Sequence, residues 1–336
     1  MTLVAFGDLV QSYLLKSQTA RLKSEAGRIT KELSSGRLSD VGSAVSGDFT
    51  RLSALSRSRT LTESYLFSAR EGAAHTNGLQ AVIASVGDSA QSLTPSLLAS
   101  PLLAPNEQVA LIGQEARARF DSVLSKMNTS LAGRSLLAGQ RVTAAAVADG
   151  ETILTALRAE VAGAGAATAD DIMARLATWF TNPTGYEAVA YQGGPALGDL
   201  AISASESAWI GVTAEDPAFR AAILGFAAAA LVSDSALALP DSLARDLARR
   251  AGEHLVSAQD QLTELAARVG VSEAKIEAAQ SHNSAELLSL EMAQADIVQS
   301  DPYRLATELE AVQTNLETVY AITARLSRLS LTDFLR

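Results

Sequence analysis

Cysteine is absent from this chain of 336 residues, which excludes disulfides, thiolate zinc sites and cysteine nucleophiles together. Aromatic residues are scarce, 5% beside 48% hydrophobic residues, so the core is expected to be aliphatic. A core of Ala, Leu and Val favours closely spaced helices over a large sheet. No block of Lys or Arg stands out, and 27 basic against 37 acidic residues leave a net charge of −10. Nucleic acid is therefore not an expected partner. The longest apolar run, 221–232, is too short to span a bilayer and reads as a buried helix, so no membrane is expected either. The first residues, MTLVAFGDLVQSYLLKSQ, lack a basic n-region and a small-residue cleavage site and carry Asp8, so a cleaved signal peptide is not expected.

Chemistry-bearing clusters are missing too. His75, His254 and His282 lie far apart on helical stretches without metal-ligand spacing, and read as surface or packed residues. Asp170 and Asp171 open a predicted helix, where carboxylates favour the N-terminal dipole over catalysis. Gly163-Ala-Gly165 lacks the rest of a phosphate-binding loop, and Asn128-Thr129-Ser130, a glycosylation acceptor on paper, sits at a helix end and reads as packing or capping. No catalytic residue, cofactor-binding residue, cofactor or metal ligand is predicted, and the chain is not expected to be an enzyme.

What the sequence does hold is heptad spacing at both ends. Leu305, Leu309, Val312, Leu316 and Val319 step by 4, 3, 4 and 3 before the beat shifts to Ile322, Leu326 and Leu329. Neither Gly nor Pro interrupts this rod. At the other end Leu3, Phe6, Val10 and Tyr13 mark one seam, and Leu15, Leu22, Ala26, Ile29 and Leu33 a second. Narrow stripes of this kind need covering by another helix of the chain, of a neighbouring copy, or of both. For the two terminal rods, intermolecular packing is the expected use.

Between the rods the spacing predicts a long helix from Val45 to Leu93, with Phe49, Leu52, Leu66, Ala69, Ala73, Thr76, Ile83, Val86 and Ala90 near one face. The prolines at 95, 101 and 105 are expected to end it. Asn106 would cap a second helix through Val109, Ile112, Ala116, Phe120, Val123 and Met127 to Leu131, antiparallel to the first. Residues 140–240 change character, with both tryptophans, four of the eight prolines and two glycine pairs. They read as helices over 152–161 and 169–180, a β-rich piece over 186–212 and an apolar helix over 218–232. Their aromatics, Trp179, Phe180, Tyr186, Tyr191, Trp209, Phe219 and Phe226, are expected to form a small core rather than a ligand pocket. Heptads resume after Pro240 through Ala251, Leu255, Ala258, Leu262, Leu265 and Val269, then Ile276, Ala279, Leu287, Leu290 and Ile297, up to a joint at Asp301-Pro302.

The expected fold is mainly α: an elongated helical bundle whose N- and C-terminal coiled-coil-like helices pair at one end, with a small α+β domain inserted in the middle. In residues, 1–42 and 300–336 would form the terminal coiled-coil region, 43–140 and 241–299 the bundle, and 141–240 an inserted outer domain.

Four stretches carry a resemblance to a known family. The ending SRLSLTDFLR after the Asp301-Pro302 joint, ITKELSSGRLSD at 29–40, MNTSLAGRSLLAG at 127–139 and LTELAARVGVSEAKIE at 262–277 occur in the order and spacing of the flagellin superfamily, which the helical arms resemble. The ending is similar to that of the family's junction-type, hook-associated members more than to the Gln, Ala and Asn-rich helix of flagellins proper. The resemblance implies a structural adaptor of the bacterial flagellum that joins the hook-associated ring to the flagellin filament. It implies type III export without a cleaved signal, an extracellular location, and as partners copies of itself in a ring, the first hook-associated protein, flagellin and an export chaperone. The assembly interface it implies comprises Leu3, Phe6, Val10, Tyr13, Leu22, Ile29, Leu305, Leu309, Val312, Leu316, Val319, Ile322, Leu326, Leu329, Phe334 and Leu335. A filament-forming flagellin and a helical scaffold unrelated to motility are the alternatives.

Overall fold

Heptad-spaced stripes at both chain ends become two long helices that cover each other. The computed structural model describes residues 2–99, 106–163 and 168–334, with side chains described for all of these except 2–9, 11, 43, 44, 106 and 327–334. The chain is mainly helical, as its composition requires. It divides into two compact units, one of Met1–Thr62 with Ala285–Arg336 and the other of Glu63–Ser284.

The first unit is built on α1 (Thr2–Ser35) and α9 (Pro302–Phe334), joined by the short α2 (Val41–Ala44), the first turns of α3 (Thr50–Ala99) and the last turns of α8 (Asp241–Val298). Leu22, Ile29, Leu305, Val312 and Val319 form its core, with Leu15, Ala26, Leu309 and Leu316 packed against them. The steps of seven on α1 and α9 match once the helices run antiparallel, which lets one stripe bury the other. The long helix predicted from Val45 begins instead at Thr50, because the Asp48 carboxylate accepts from the Thr50 amide at 2.9 Å and caps it there. Phe49, expected on the buried face, is half exposed.

The second unit contains the rest of α3, α4 (Asn106–Met127), α5 (Gly150–Gly163), α6 (Ala169–Thr181), α7 (Pro217–Leu231) and most of α8. α3 and α4 run antiparallel: Arg119 of α4 donates to Ser92, while Lys126, two turns on, reaches Ser85 and Ser89. α3 does not stop at Thr94. It continues through Pro95 to Ala99, since a proline this close to a helix end forfeits only one hydrogen bond while Leu97 beyond it is fully buried. α4 stops at Met127 rather than Leu131. There the Asn128 side chain leaves the helix pattern to accept from the amides of Ala146 and Val147 at 2.8 and 2.9 Å and to donate to the Val147 carbonyl. That clasp is the packing role read from the sequence, and it occupies the amide a glycan would need.

Beyond Asn128, β1 (Ser130–Leu131) and β2 (Arg134–Ser135) pair antiparallel across a two-residue turn in which Ala132 and Gly133 both have positive φ, the geometry that hairpins favour. α7 is the apolar helix expected at 218–232, buried along nearly its whole length and packed on α4, α5 and α6. Gly225 is where α8 comes close: a Cβ there would meet Leu255 at 2.6 Å. The capping box at the start of α6, with the Thr168 hydroxyl and Asp171 carboxylate bonding each other's amides, gives Asp171 the end-of-helix role expected of it. Asp170 pairs with Arg250 of α8.

The β-rich piece expected over 186–212 is not found. Pro183–Ala190 forms a wide π-type turn opened by the Asn182 side chain, and the pairing nearby is limited to a single bridge between Tyr191 and Val147 and to two-residue strands, β3 (Leu200–Ala201) and β4 (Ser207–Ala208). Gly193, Gly194, Pro195 and Gly198 break the chain too often for a ladder. The aromatics do form a core. Phe180 stacks on Tyr186 with centroids 5.3 Å apart, Trp179 meets both edge-on, and the Tyr186 hydroxyl donates to the Ala214 carbonyl at 2.8 Å. This core is continuous with the one between α3, α4, α7 and α8. Gly163-Ala-Gly165 runs into 164–167, outside the described residues.

Candidate assembly interface

The first unit is organised at the point where α8 gives way to α9 and α1 gives way to the loop after it. Gly36, at φ +66°, turns the chain out of α1 in the left-handed conformation that glycine reaches without strain. The turn brings Arg37 opposite Gln299 in an antiparallel bridge. The Leu38 amide donates to the Val298 carbonyl at 2.9 Å and the Ser300 amide to the Gly36 carbonyl at 3.1 Å. Ser300 is buried, and its hydroxyl donates to the Glu32 carbonyl. Asp301 then starts α9: its side chain accepts from the Tyr303 amide, and Pro302 occupies the first helical position, where a missing N–H costs nothing.

Glu32, a single turn before the end of α1, is 1% exposed and still charged. Arg28 donates to both of its oxygens at 2.9 and 3.0 Å, and the Ser39 amide donates to one of them at 3.1 Å. Burial alone would push this carboxyl up; the Ser39 amide and the Arg28 guanidinium together outweigh burial and hold it below the usual carboxylate range. Glu32 thus ties the loop back onto α1. Its interior position interrupts the apolar seam and hid its role from the heptad reading, although its step of four from Arg28 was visible.

From this joint the proposed interface residues separate into three groups. Leu22, Ile29, Leu305, Val312 and Val319 are buried, and Leu309 and Leu316 partly so, in contact within one chain. Val10, Tyr13 and Ile322 are not: they are 57%, 73% and 42% exposed. Leu326 is partly buried. The side chains of Leu3, Phe6, Leu329 and Phe334, and Leu335 altogether, lie outside the described residues. The heptad reading missed three further exposed apolar residues of these helices, Leu14, Tyr303 and Tyr320. Lys23 lies over the Tyr320 ring at 5.8 Å, each side chain leaning toward its own helix's N-terminus and so toward the other.

Elsewhere the described residues hold little that resembles a reactive site. None of their His, Cys, Asp and Glu residues form a group of three suited to a metal ion, and no helix among them is long and apolar enough to cross a membrane. An open cleft of about 460 Å³ is lined by Gln114, Arg117, Arg158, Ser233 and Asp234. Both arginines are already committed, Arg158 to Glu151 and Asp234 at 2.7 and 2.6 Å, Arg117 to Asp121 and Glu151 at 3.2 and 3.0 Å. Arg158 first and Arg117 second hold the Glu151 carboxyl down at about 2.

α1 and α9 thus form one antiparallel helical pair, buried along one seam and with apolar side chains left on its surface. Residues 253–335 match the family described as the bacterial flagellin C-terminal helical region. That span takes in most of α8 and all of α9, and it bears out there the flagellin-superfamily resemblance read from the sequence. No curated protein matches the chain. A solved structure described as that of a candidate flagellar hook-associated protein from Vibrio parahaemolyticus superposes with a TM-score of 0.49 at 13% identity, covering 73% of this chain and 95% of that one.

The other resemblance motifs act as clasps. Arg268, in the 262–277 motif, donates to Asp216 at 3.0 Å and lies over the Trp209 ring at 5.5 Å, fixing the chain before α7 onto α8. Leu136 and Leu137 of the 127–139 motif are buried in the core.

Proposed function

We propose that this chain is a structural adaptor of the bacterial flagellum, placed between the hook-associated ring and the flagellin filament, and that it acts by packing rather than by chemistry on a substrate. The observation that carries this reading is the α1–α9 pair, buried along one seam within the chain and apolar on its surface at Val10, Tyr13, Leu14, Tyr320 and Ile322. An exposed apolar set of this kind marks a surface that meets another protein. A contact between unlike surfaces, repeated around an axis, closes into a ring or winds into a tube. The residues proposed for subunit contact are therefore the exposed ones, together with Leu3, Phe6, Leu326, Leu329, Phe334 and Leu335; the buried seam holds the pair together. Copies of the chain, the first hook-associated protein and flagellin are the proposed neighbours, reached by type III export with a chaperone. Residues 1–42 with 300–336 act in assembly, 43–140 with 241–299 form the bundle, and 141–240 are its outer addition.

Deleting residues 305–336 in a motile host is expected to give hooks without attached filaments by electron microscopy. Normal filaments from that strain would overturn the reading. A second reading, a filament-forming flagellin, is favoured by the family description itself; growth of long filaments from the purified protein alone would select it.

A further inference from the structure

Two imidazoles of the unit Glu63–Ser284 play no part in assembly as proposed above. His75 of α3 hydrogen-bonds the main chain of Ile210, just after β4, and His254 of α8 hydrogen-bonds the main chain of Ala221 in α7. In both rings the Nε2 atom is sealed from solvent and has no hydrogen-bond partner. A neutral ring that donates from Nδ1 tolerates this, since it leaves only a lone pair unmatched. A protonated ring would bury a second N–H without an acceptor and a charge without a counter-ion.

No charged group is bonded to either Nε2. Arg134 of β2 is the charged group acting on His75, and its sign is the same. On α3, Arg70 and Glu71 face solvent. On α8, Lys275 donates to the Ser207 carbonyl, and Glu273 accepts from Gln80 through one oxygen while its other oxygen is buried without a partner. Around His254, Arg220, the one ionisable residue of α7, donates to the Phe180 carbonyl, while Arg250 and Glu253 pair with each other and with Asp170 and Arg249. α3 has no ionisable residue between Asp88 and Ala99.

We infer that His75 and His254 make this unit an acid-sensitive switch in stability, in which a proton on either ring strains the packing around it, at the Ile210 main chain for His75 and at the Ala221 main chain of α7 for His254. Ile210 packs on the cluster of Ala69, Ile202, Ala208, Ile276 and Ala279, where Lys275 and Asn283 also hold the β3–β4 hairpin through the Ser207 and Ile202 carbonyls. Burial pushes both rings below the usual histidine value. The folded state therefore holds neutral rings: stability is complete above the unfolded value of about 6.5 and is lost as pH falls below it. Each ring can raise the unfolding equilibrium constant by at most about tenfold per pH unit in that range, and the two together by at most about a hundredfold.

The test is urea unfolding of the full chain at pH 7.5 and 5.5, above the range in which ordinary carboxylates titrate. The constant is expected to rise between the two, by up to about a hundredfold. His75→Asn and His254→Asn, whose amide reproduces the Nδ1 donor, should each remove up to about tenfold of that rise, and the double variant nearly all of it. His282→Asn, on the exposed side of α8, should leave it intact. A pH-independent constant in the native sequence, or a full rise in the double variant, would overturn the inference. The ring-proton NMR signals of the native folded chain provide a measurement that needs no variant. Titration of either ring near pH 6.5, as would follow if Glu273 captured the charge, refutes the switch; two rings still neutral at pH 5.5 support it.

Discussion

At the scale of single residues, Glu32 shows how a buried charge is kept. Its carboxylate accepts three hydrogen bonds from two donors, the Arg28 guanidinium and the Ser39 amide, and the second belongs to chain that must be fixed for α1 to end where it does. Glu32→Ala leaves the Arg28 guanidinium and the Ser39 amide without this acceptor, and is expected to cost about 1–3 kcal/mol, read from the urea midpoint and from faster exchange of the Ser39 amide. Because its folded carboxyl sits low, the contribution is complete above the ordinary carboxylate range and disappears as pH falls through the lowered value. Glu32→Gln should flatten that part of the acid response. Ile29 and Tyr13, on the same helix, make a contrast: Ile29→Ala empties a fully buried site at about 2–5 kcal/mol, whereas Tyr13→Ala at an exposed site should stay within about 0.5 kcal/mol.

At the scale of elements, packing is set by a few close approaches. α7 can lie against α8 because Gly225 has no side chain, and Gly225→Val would drive two methyls into Leu255. Overpacking of that kind is expected to cost about 1–3 kcal/mol and to lower the melting temperature without changing the helical circular dichroism. The end of α4 depends on one amide side chain. Asn128→Ala gives up three hydrogen bonds to the 146–147 stretch and should cost about 2 kcal/mol, with faster hydrogen exchange at Ala146 and Val147 as its local signature. Asn128→Asp tests the donor alone, since it keeps both accepted bonds and loses the one to the Val147 carbonyl.

At the scale of the whole molecule, the proposed division of labour separates stability from assembly. The buried seam of the α1–α9 pair holds the first unit, and the exposed side chains on the same helices are available to neighbours. Val10→Asp combined with Tyr13→Asp should therefore leave the melting temperature of the purified protein within about 2 °C of the native value, because both sites are already in water. The same pair should abolish incorporation into flagella in complementation. Incorporation at the native level would show that these residues do not face a neighbour, and the contact would have to be sought on another surface.

The sequence by itself determined the helices, because heptads over many turns and a mostly aliphatic core leave the chain no other regular structure that buries its apolar stripe. It determined the joints as well: Gly36 and Asp301-Pro302 act through local backbone geometry, which needs no distant partner. Tertiary structure decided what local pattern does not carry. Pro95 stays inside α3 because Leu97 is buried beyond it, and α4 ends at Met127 because Asn128 finds amides eighteen and nineteen residues away. The 186–212 stretch read as β-rich, yet Tyr186 is spent on the aromatic core and the glycines nearby break any ladder. Which part of each terminal seam is buried was also a tertiary outcome. Leu22 and Ile29 meet α9, while Val10 and Tyr13, spaced just as regularly, remain in solvent, because periodicity fixes which residues share a face and only the folded chain fixes what covers that face.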